Sequence, residues 1–452
     1  NLFVAVATGQ NVANLPPILQ FAEKGDQVLW LESDLASRQG WANGAIAVLK
    51  GRGIESIRAP IEGNINDPRA VKRALAQWLE RHGGNYRTLN IVLNGGQKLT
   101  PFGLALAARP WRELGKPVRF LYGDDRPARV QVREQHVGGP MRTVAYDAER
   151  MLRLEEIVRA AGREIESVSE PLPWRDPPPP DPYGRDAAFT ALVHASAKRR
   201  GAEEEARAHW PGFNAWSRES KQAFNQRMTP ILEDLAGKPL PREAKFAAYP
   251  RIVRLIREFA PRLPSPGIAR ADKAKLIAQG WWTDRGRPNI GPRFERAVAN
   301  RIRRFLAERP ALAKVIRELR LNAKVPGAEW DVVLVLVNGI LLHLECKTWR
   351  VSKKDMDARI HVMRSASSRL AQTCLVAPMF PEFADKPWFC DMHDNFQRML
   401  GFGVPVLAYT MEGARPAQTY RIPGRQGEFR WPDPFEEALE RLLAPYVCDA
   451  KA

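Results

Sequence analysis

The chain has 452 residues and a net charge of +18, with 69 Lys or Arg against 51 Asp or Glu. That balance fits a polyanionic partner and argues against a basic one, while the length calls for two or three domains. No apolar run approaches the ~20 residues of a membrane-spanning helix, and Cys346, Cys374, Cys390 and Cys448 include no CxxC pair, so the expected setting is a reducing cytoplasm rather than a membrane or a disulfide scaffold.

Strands and helices alternate through the first third. Strands are expected over Leu2–Ala7, Gln27–Leu31, Ile54–Arg58, Leu89–Leu93 and Val118–Tyr122, with helices over Leu15–Glu23, Ser37–Lys50, Asp67–Arg81 and Pro101–Ala108 between them. This rhythm predicts a Rossmann-like, mostly parallel sheet, whose ligands bind beyond the carboxyl ends of its strands. Two loops fall there. Thr8-Gly9-Gln10-Asn11 follows the first strand, and Asn94-Gly95-Gly96-Gln97-Lys98-Leu99-Thr100 follows the strand ending at Leu93. The glycine pair lets backbone N–H groups approach a phosphate, and Lys98 adds positive charge at a helix start. Neither loop matches a dinucleotide or nucleoside-triphosphate fingerprint.

The two loops resemble those of the CARF domain, the sensor of cyclic oligoadenylates in type III CRISPR defence. The resemblance implies that Thr8, Gly9, Gln10 and Asn11 line one side of a ligand cleft and Asn94, Gly95, Gly96, Gln97, Lys98 and Thr100 the other. It further implies a homodimer binding one cyclic ligand, with cyclic tetra-adenylate the expected ring, across its twofold axis.

Met141–Tyr146 reads as a strand and Met151–Ala161 as a helix that closes this first domain, residues 1–170. The proline-rich run Pro171 to Pro182 reads as a semi-rigid spacer over 171–183. Residues 184–287 read as a mainly helical connector, and 288–450 as a second α/β domain. There, Phe294, Ala297, Val298, Ile302, Phe305 and Leu306 recur at helical spacing, and Glu295 lies on the same helix.

The run Trp330 to Lys347 reads as a β-hairpin around Asn338-Gly339. With those two residues alone as the turn, Asp331 would face Cys346 and point away from Glu345. A three-residue turn, Val337–Gly339, with Gly339 left-handed, sets Asp331 opposite Glu345 and puts Lys347 on the same face. It also gathers Trp330, Val332, Leu334, Leu336, Ile340, Leu342, Leu344 and Cys346 on one apolar face, so this register is expected. Two carboxylates and an ammonium at the open end suit a hard divalent cation and a phosphodiester. Asp331, Glu345 and the Cys346 carbonyl are the expected metal ligands, for Mn2+ or Mg2+. Lys347 is expected to orient water or stabilise developing charge. Downstream, Lys353, Lys354, Arg359, Arg364 and Arg369 occur on a helical stretch, as phosphate contacts or as a solvated face, before a strand over Thr373–Ala377.

Asp331 with Glu345-Cys346-Lys347 resembles the PD-(D/E)XK nuclease superfamily, with Trp330 where the namesake proline stands. The resemblance implies a restriction-endonuclease-like core of α-β-β-β-α-β order, with Glu295 as a further catalytic acid acting on the metal directly or through water. Nineteen Lys or Arg against eight Asp or Glu between Arg285 and Arg369 agree with a polyanion bound by its backbone. A CARF domain joined to such a nuclease resembles the ancillary nucleases of type III CRISPR systems, implying cyclic-oligoadenylate-activated cleavage of DNA or RNA. Two other readings stay open. One is a metal-independent HEPN-type ribonuclease, for which Arg129 and His136 are the only nominal motif; the other is a non-enzymatic sensor that regulates by binding nucleic acid.

Overall fold

In the computed structural model, residues 1–134, 141–178, 223, 226–227, 290–347, 353–367, 371–379, 387–410, 419–422, 426–430 and 432–448 are described. Nearly all of the expected connector lies outside them, as do His136, Arg369 and the Cys390 side chain.

At the centre of the first sheet, β1 (Leu2–Val6), β2 (Gln27–Glu32) and β4 (Leu89–Val92) are buried on both faces, the pattern that parallel βαβ packing requires. The sheet also contains β3 (Glu55–Pro60), β5 (Val118–Gly123), β6 (Arg129–Glu134) and β7 (Met141–Ala145), in the order β3-β2-β1-β4-β5-β6-β7. The first five of these neighbours run parallel and β6 and β7 continue antiparallel. Phe3, Ala5 and Trp30 enter one core, whereas Leu2, Val4, Leu29 and Leu31 enter another on the opposite face. Helices α1 (Leu15–Phe21), α2 (Asp34–Arg38), α3 (Asn43–Gly51), α4 (Pro68–His82), α5 (Thr100–Ala107), α6 (Arg109–Glu113) and α7 (Leu154–Ala160) complete this lobe. Chain order reverses direction between β1 and β4, so the two loops singled out above flank the switch point.

Two elements differ from expectation. The helix expected over Ser37–Lys50 is split into α2 and α3 because Gly40 takes φ +60°, a conformation that stops a helix. The helix expected from Met151 begins at Leu154, where Glu156 accepts from the Arg153 N–H at 2.8 Å.

The second sheet has the order β12-β11-β10-β9-β8. It is preceded by α8 (Ile290–Glu308) and α9 (Pro310–Ala313), and consists of β8 (Ile316–Val325), β9 (Ala328–Leu336), β10 (Leu341–Cys346), β11 (Gln372–Pro378) and β12 (Val406–Tyr409). Helix α10 (Lys353–Ala366) connects β10 to β11, α11 (Pro387–Gly401) connects β11 to β12, and α12 (Phe435–Leu443) follows a two-stranded ribbon of β13 (Thr419–Tyr420) and β14 (Phe429–Arg430). β8, β9 and β10 are antiparallel; β10, β11 and β12 are parallel. Apart from the single turn of α9, this is the expected α-β-β-β-α-β order. Phe294, Val298, Ile302 and Phe305 of α8 are buried in the core beneath this sheet.

The hairpin adopts the three-residue turn. Leu341 pairs with Val335, Leu342 with Leu334, His343 with Val333 and Leu344 with Val332, and Gly339 has φ +81°. Both faces of the hairpin are buried, Val333 and Val335 as fully as Leu334, so its polar end is surrounded by packed structure.

The lobes share one core, in which Val12 and Leu152 pack with Val335, Val337 and Ile340. Polar bonds lock the seam: Leu154 N–H donates to Glu318 Oε1 at 2.6 Å, Ala128 N–H to the Tyr446 carbonyl at 2.9 Å, and Asn338 Nδ2 to the Asp125 carbonyl at 2.8 Å. Arg320 joins Glu155 of α7 to Glu318 of β8. A side chain at Gly339 would meet Val12 Cγ1 at 3.3 Å and Pro16 at 3.5 Å. The turn of the hairpin therefore sits against the segment that follows the Thr8–Asn11 loop.

Candidate active site and ligand cleft

Asp331, Glu345 and Lys347 converge at the open end of the hairpin. Lys347 Nζ lies 2.7 Å from Glu345 Oε1 and 3.4 Å from Asp331 Oδ2, so a single cation already bridges the two carboxylates. Asp331 Oδ2 also accepts from the Cys346 N–H at 2.8 Å. Lys347 N–H donates to the Val376 carbonyl at 2.9 Å, which turns the backbone groups of Cys346 toward β9. Both groups of one strand residue point the same way, so the Cys346 carbonyl shares the edge on which Asp331 lies. Arg359, named in the sequence only among phosphate contacts, reaches Glu345 Oε1 with Nε at 3.3 Å. Lys353, Lys354 and Arg364 of the same helix are exposed.

Burial and like charge shape the acids. Burial, then the nearby Glu345, pushes Asp331 up to about 6. Burial, then Asp331, pushes Glu295 up to about 7, with Lys347 opposing and Glu329 and Glu345 adding to the rise. The Lys347 ammonium is held above its ordinary value by Asp331 and Glu345 in spite of burial, the largest single influence and one that acts the other way. Glu295 thus lies in the field of the same cluster, on α8 as expected. Among the described residues, no group of three or more His, Cys, Asp or Glu side chains is placed to hold a metal ion. Hard oxygen donors are nevertheless on hand: the two carboxylates, with buried Glu345 Oε2 lacking a hydrogen-bond partner, and the Cys346 carbonyl. That donor chemistry fits Mn2+ or Mg2+ rather than a soft metal.

At the other end of the chain, the two loops after β1 and β4 meet across the switch point. Asn11 and Asn94 turn inward: Asn11 Oδ1 accepts from the Thr8 N–H at 2.9 Å and its Nδ2 donates to the Trp41 carbonyl at 2.7 Å. Asn94 exchanges two hydrogen bonds with the Gly123 backbone, at 2.7 and 2.8 Å. Thr100 is fully buried and its hydroxyl accepts from the Gln97 N–H at 2.8 Å. These three shape the loops. Gly9, Gly96, Gln97 and Lys98 are exposed and Thr8 and Gln10 half-buried, so these six present the accessible surface. Gly95 is required by contact: a Cβ there would lie 2.5 Å from the Val6 carbonyl and 2.8 Å from the Asn14 amide. Gly95→Ala is expected to cost about 1–3 kcal/mol, read as a lower thermal midpoint. Arg129 of the nominal HEPN-type motif pairs with Asp124 at 3.0 Å, and His136 lies outside the described residues.

No protein-family model and no curated protein matches the chain. Among solved structures, protein VC1899 from Vibrio cholerae aligns at TM-score 0.50 and 13% identity, covering 90% of this chain and 93% of that one. Can2 from Sulfobacillus thermosulfidooxidans, in complex with cyclic tetra-adenylate, aligns at 0.47 and 14%, covering 90% and 94%. A type III CRISPR defence DNA nuclease activated by cyclic oligoadenylate aligns at 0.44 and 19%, covering 95% of this chain and 52% of that one. The last two likenesses, below a TM-score of 0.5, bear on no functional statement. The first bears on the fold, and with the strand orders above it makes this chain a two-lobed α/β protein, a Rossmann-like lobe followed by a mixed five-stranded one.

Proposed function

We propose that this protein is a cyclic-oligoadenylate-activated, metal-dependent endonuclease of the type III CRISPR ancillary class, cleaving DNA and, as a second candidate substrate, RNA. The observation that carries the reading is the convergence of Asp331, Glu345 and Lys347 at the buried end of one hairpin, in a basic stretch of chain suited to a phosphate backbone. Asp331, Glu345 and the Cys346 carbonyl would hold the cation, with Glu295 nearby to act through water. A bound divalent cation supplies charge neutralisation on the phosphoryl oxygens and an acidified water. Lys347, whose ammonium lies between the two carboxylates, would offset charge on the phosphoryl group. Arg359 braces Glu345 from α10.

The sensor half of the proposal rests on the switch-point loops, with Thr8, Gly9, Gln10, Gly96, Gln97 and Lys98 as the contacting surface and Asn11, Asn94, Gly95 and Thr100 as its frame. The hairpin gives a route between the halves, since its turn rests on Val12 and its other end carries the carboxylates. A homodimer is supported by an apolar stripe beside the cleft. Leu99 at the N-cap of α5, and Phe102 and Leu106 on the helix, are 48%, 63% and 52% exposed at helical spacing, an exposed apolar stripe of the kind that marks interaction surfaces. Phe102→Glu is expected to convert dimer to monomer in light scattering; an unchanged dimer would move the interface elsewhere. No helix among the described residues is long and apolar enough to cross a membrane, and the proposed setting is the cytoplasm.

Incubating the protein with plasmid DNA and single-stranded RNA, with Mn2+ or Mg2+, across several cyclic oligoadenylates tests the whole reading. One ring size, expected to be the tetramer, switches cleavage on. Cleavage indifferent to every ring removes the sensor half; binding of a ring without any cleavage favours the regulator reading.

A further inference from the structure

We infer that His343 is a positioning residue of this site: its ring holds the Asp331 backbone where a sheet bond is missing and leaves Glu345 Oε2 open to the cation. The inference rests on the metal-dependent nuclease reading above.

His343 is out of place by composition. It is wholly buried, on a strand segment otherwise made of Leu341, Leu342 and Leu344, and its Nδ1 has no hydrogen-bond partner. A buried polar atom without a partner is costly, and a leucine would fill the same kind of space. Packing alone therefore does not account for a histidine here. Its place does: on alternating strand geometry His343 shares a face with Glu345 and Lys347.

The sheet is irregular at the neighbouring acid. β8 pairs with β9 through Leu321–Val332 and Ala323–Trp330, but the rung between them, Asn322 with Asp331, is missing. Asn322 takes φ +51°, the one non-glycine residue with positive φ among those described. Strained backbone of this kind concentrates at functional sites, and here it coincides with the missing rung opposite Asp331. The Asp331 N–H donates instead to His343 Nε2 at 3.3 Å.

That bond decides the tautomer. A ring that accepts an N–H at Nε2 is neutral and carries its proton on Nδ1. It then has no proton to give Glu345 Oε2, which lies 3.3 Å from Nε2. The other Glu345 oxygen is occupied by Lys347 and Arg359. His343 thus secures one carboxylate through its backbone and withholds a hydrogen bond from the other, leaving a lone-pair oxygen of the kind a hard cation requires. Groups that orient metal ligands in this way change affinity or activity without touching substrate.

The test compares wild type with His343→Leu, which keeps the apolar volume, and His343→Gln, whose amide oxygen can accept the same N–H. His343→Leu is expected to lose about 10- to 100-fold in Mn2+ affinity and in kcat, with substrate KM unchanged. His343→Gln is expected to recover most of both. Mn2+ affinity is read by the free-ion paramagnetic signal, and thermal midpoints measured without metal confirm that each variant is folded. Wild-type cleavage and Mn2+ affinity in His343→Leu overturn the positioning role and leave the nuclease reading standing. So does loss in Leu and Gln alike, which marks a packing requirement. A wild type that neither binds Mn2+ nor cleaves overturns both.

Discussion

Glu345→Gln is expected to abolish phosphodiester cleavage, and Lys347→Met to slow it by about 100- to 1,000-fold, with the fold retained in both. The two substitutions act differently. Glu345 is the hub of the cluster, contacted by Lys347 at 2.7 Å and Arg359 at 3.3 Å. Its amide would keep the shape while removing a charged donor to the cation. Removing the carboxylate leaves Lys347 and Arg359 facing each other across a neutral group, so a small loss of stability accompanies the loss of rate. Lys347 is one-third exposed, but its removal takes the ammonium from between the buried Asp331 and Glu345. Cleavage is measured under saturating activator and Mn2+, with melting midpoints as the control. Lys347→Met at wild-type rate would remove the lysine from the chemistry, and Glu345→Gln at wild-type rate would remove the site.

The second large effect is one of pH. Asp331 near 6 and Glu295 near 7 sit above their ordinary values of 3.8 and 4.5, so the folded state holds these protons more tightly than the unfolded chain. The stability gained is fully present below about pH 4 and is lost as pH rises through 6 to 7. It amounts to on the order of 3 kcal/mol per group at most, less for acids that titrate together. A bound divalent cation reverses the trend, because it prefers both acids ionised. The Mn2+-induced rise in melting midpoint is therefore expected to be small near pH 5 and large near pH 8, and cleavage to climb over the same interval to a plateau. Asp331→Asn removes most of that pH dependence. A cation effect that is equal at pH 5 and pH 8 would show that these carboxyls are not its ligands.

Much of the site was legible in the sequence because a single glycine sets the register. Gly339 in the left-handed region makes a three-residue turn, and strand alternation then carries Asp331, Glu345 and Lys347 to one place without further information. The Rossmann-like order was legible for a similar reason: the central strands β1, β2 and β4 are short, mostly apolar runs bounded by turn residues. What escaped depends on contacts distant in sequence. His343 reads as one more hairpin residue until the missing Asn322–Asp331 rung is seen. Arg359 reads as one of five cations until α10 turns it toward Glu345 and leaves its neighbours in solvent. Asn11 and Asn94 sit in the expected loops yet bond to Trp41 and Gly123, partners remote enough that sequence spacing could not reveal a framing role. The break at Gly40 is a local signal, a glycine after the polar Arg38-Gln39 pair, that helical periodicity on both sides obscures. The ion pair of Arg320 with Glu155 arises only because two lobes share a core, which no pattern within either lobe announces.

Titration of metal-free protein with Mn2+ near pH 8 tests the central claim most directly, since it reads the cation at the carboxylates without relying on activator or substrate. Asp331→Asn and Glu345→Gln are predicted to lose binding, whereas Lys347→Met, freed of the ammonium that bridges the two acids, binds as tightly as wild type or tighter while cleaving poorly. Undiminished binding in Glu345→Gln would contradict the account.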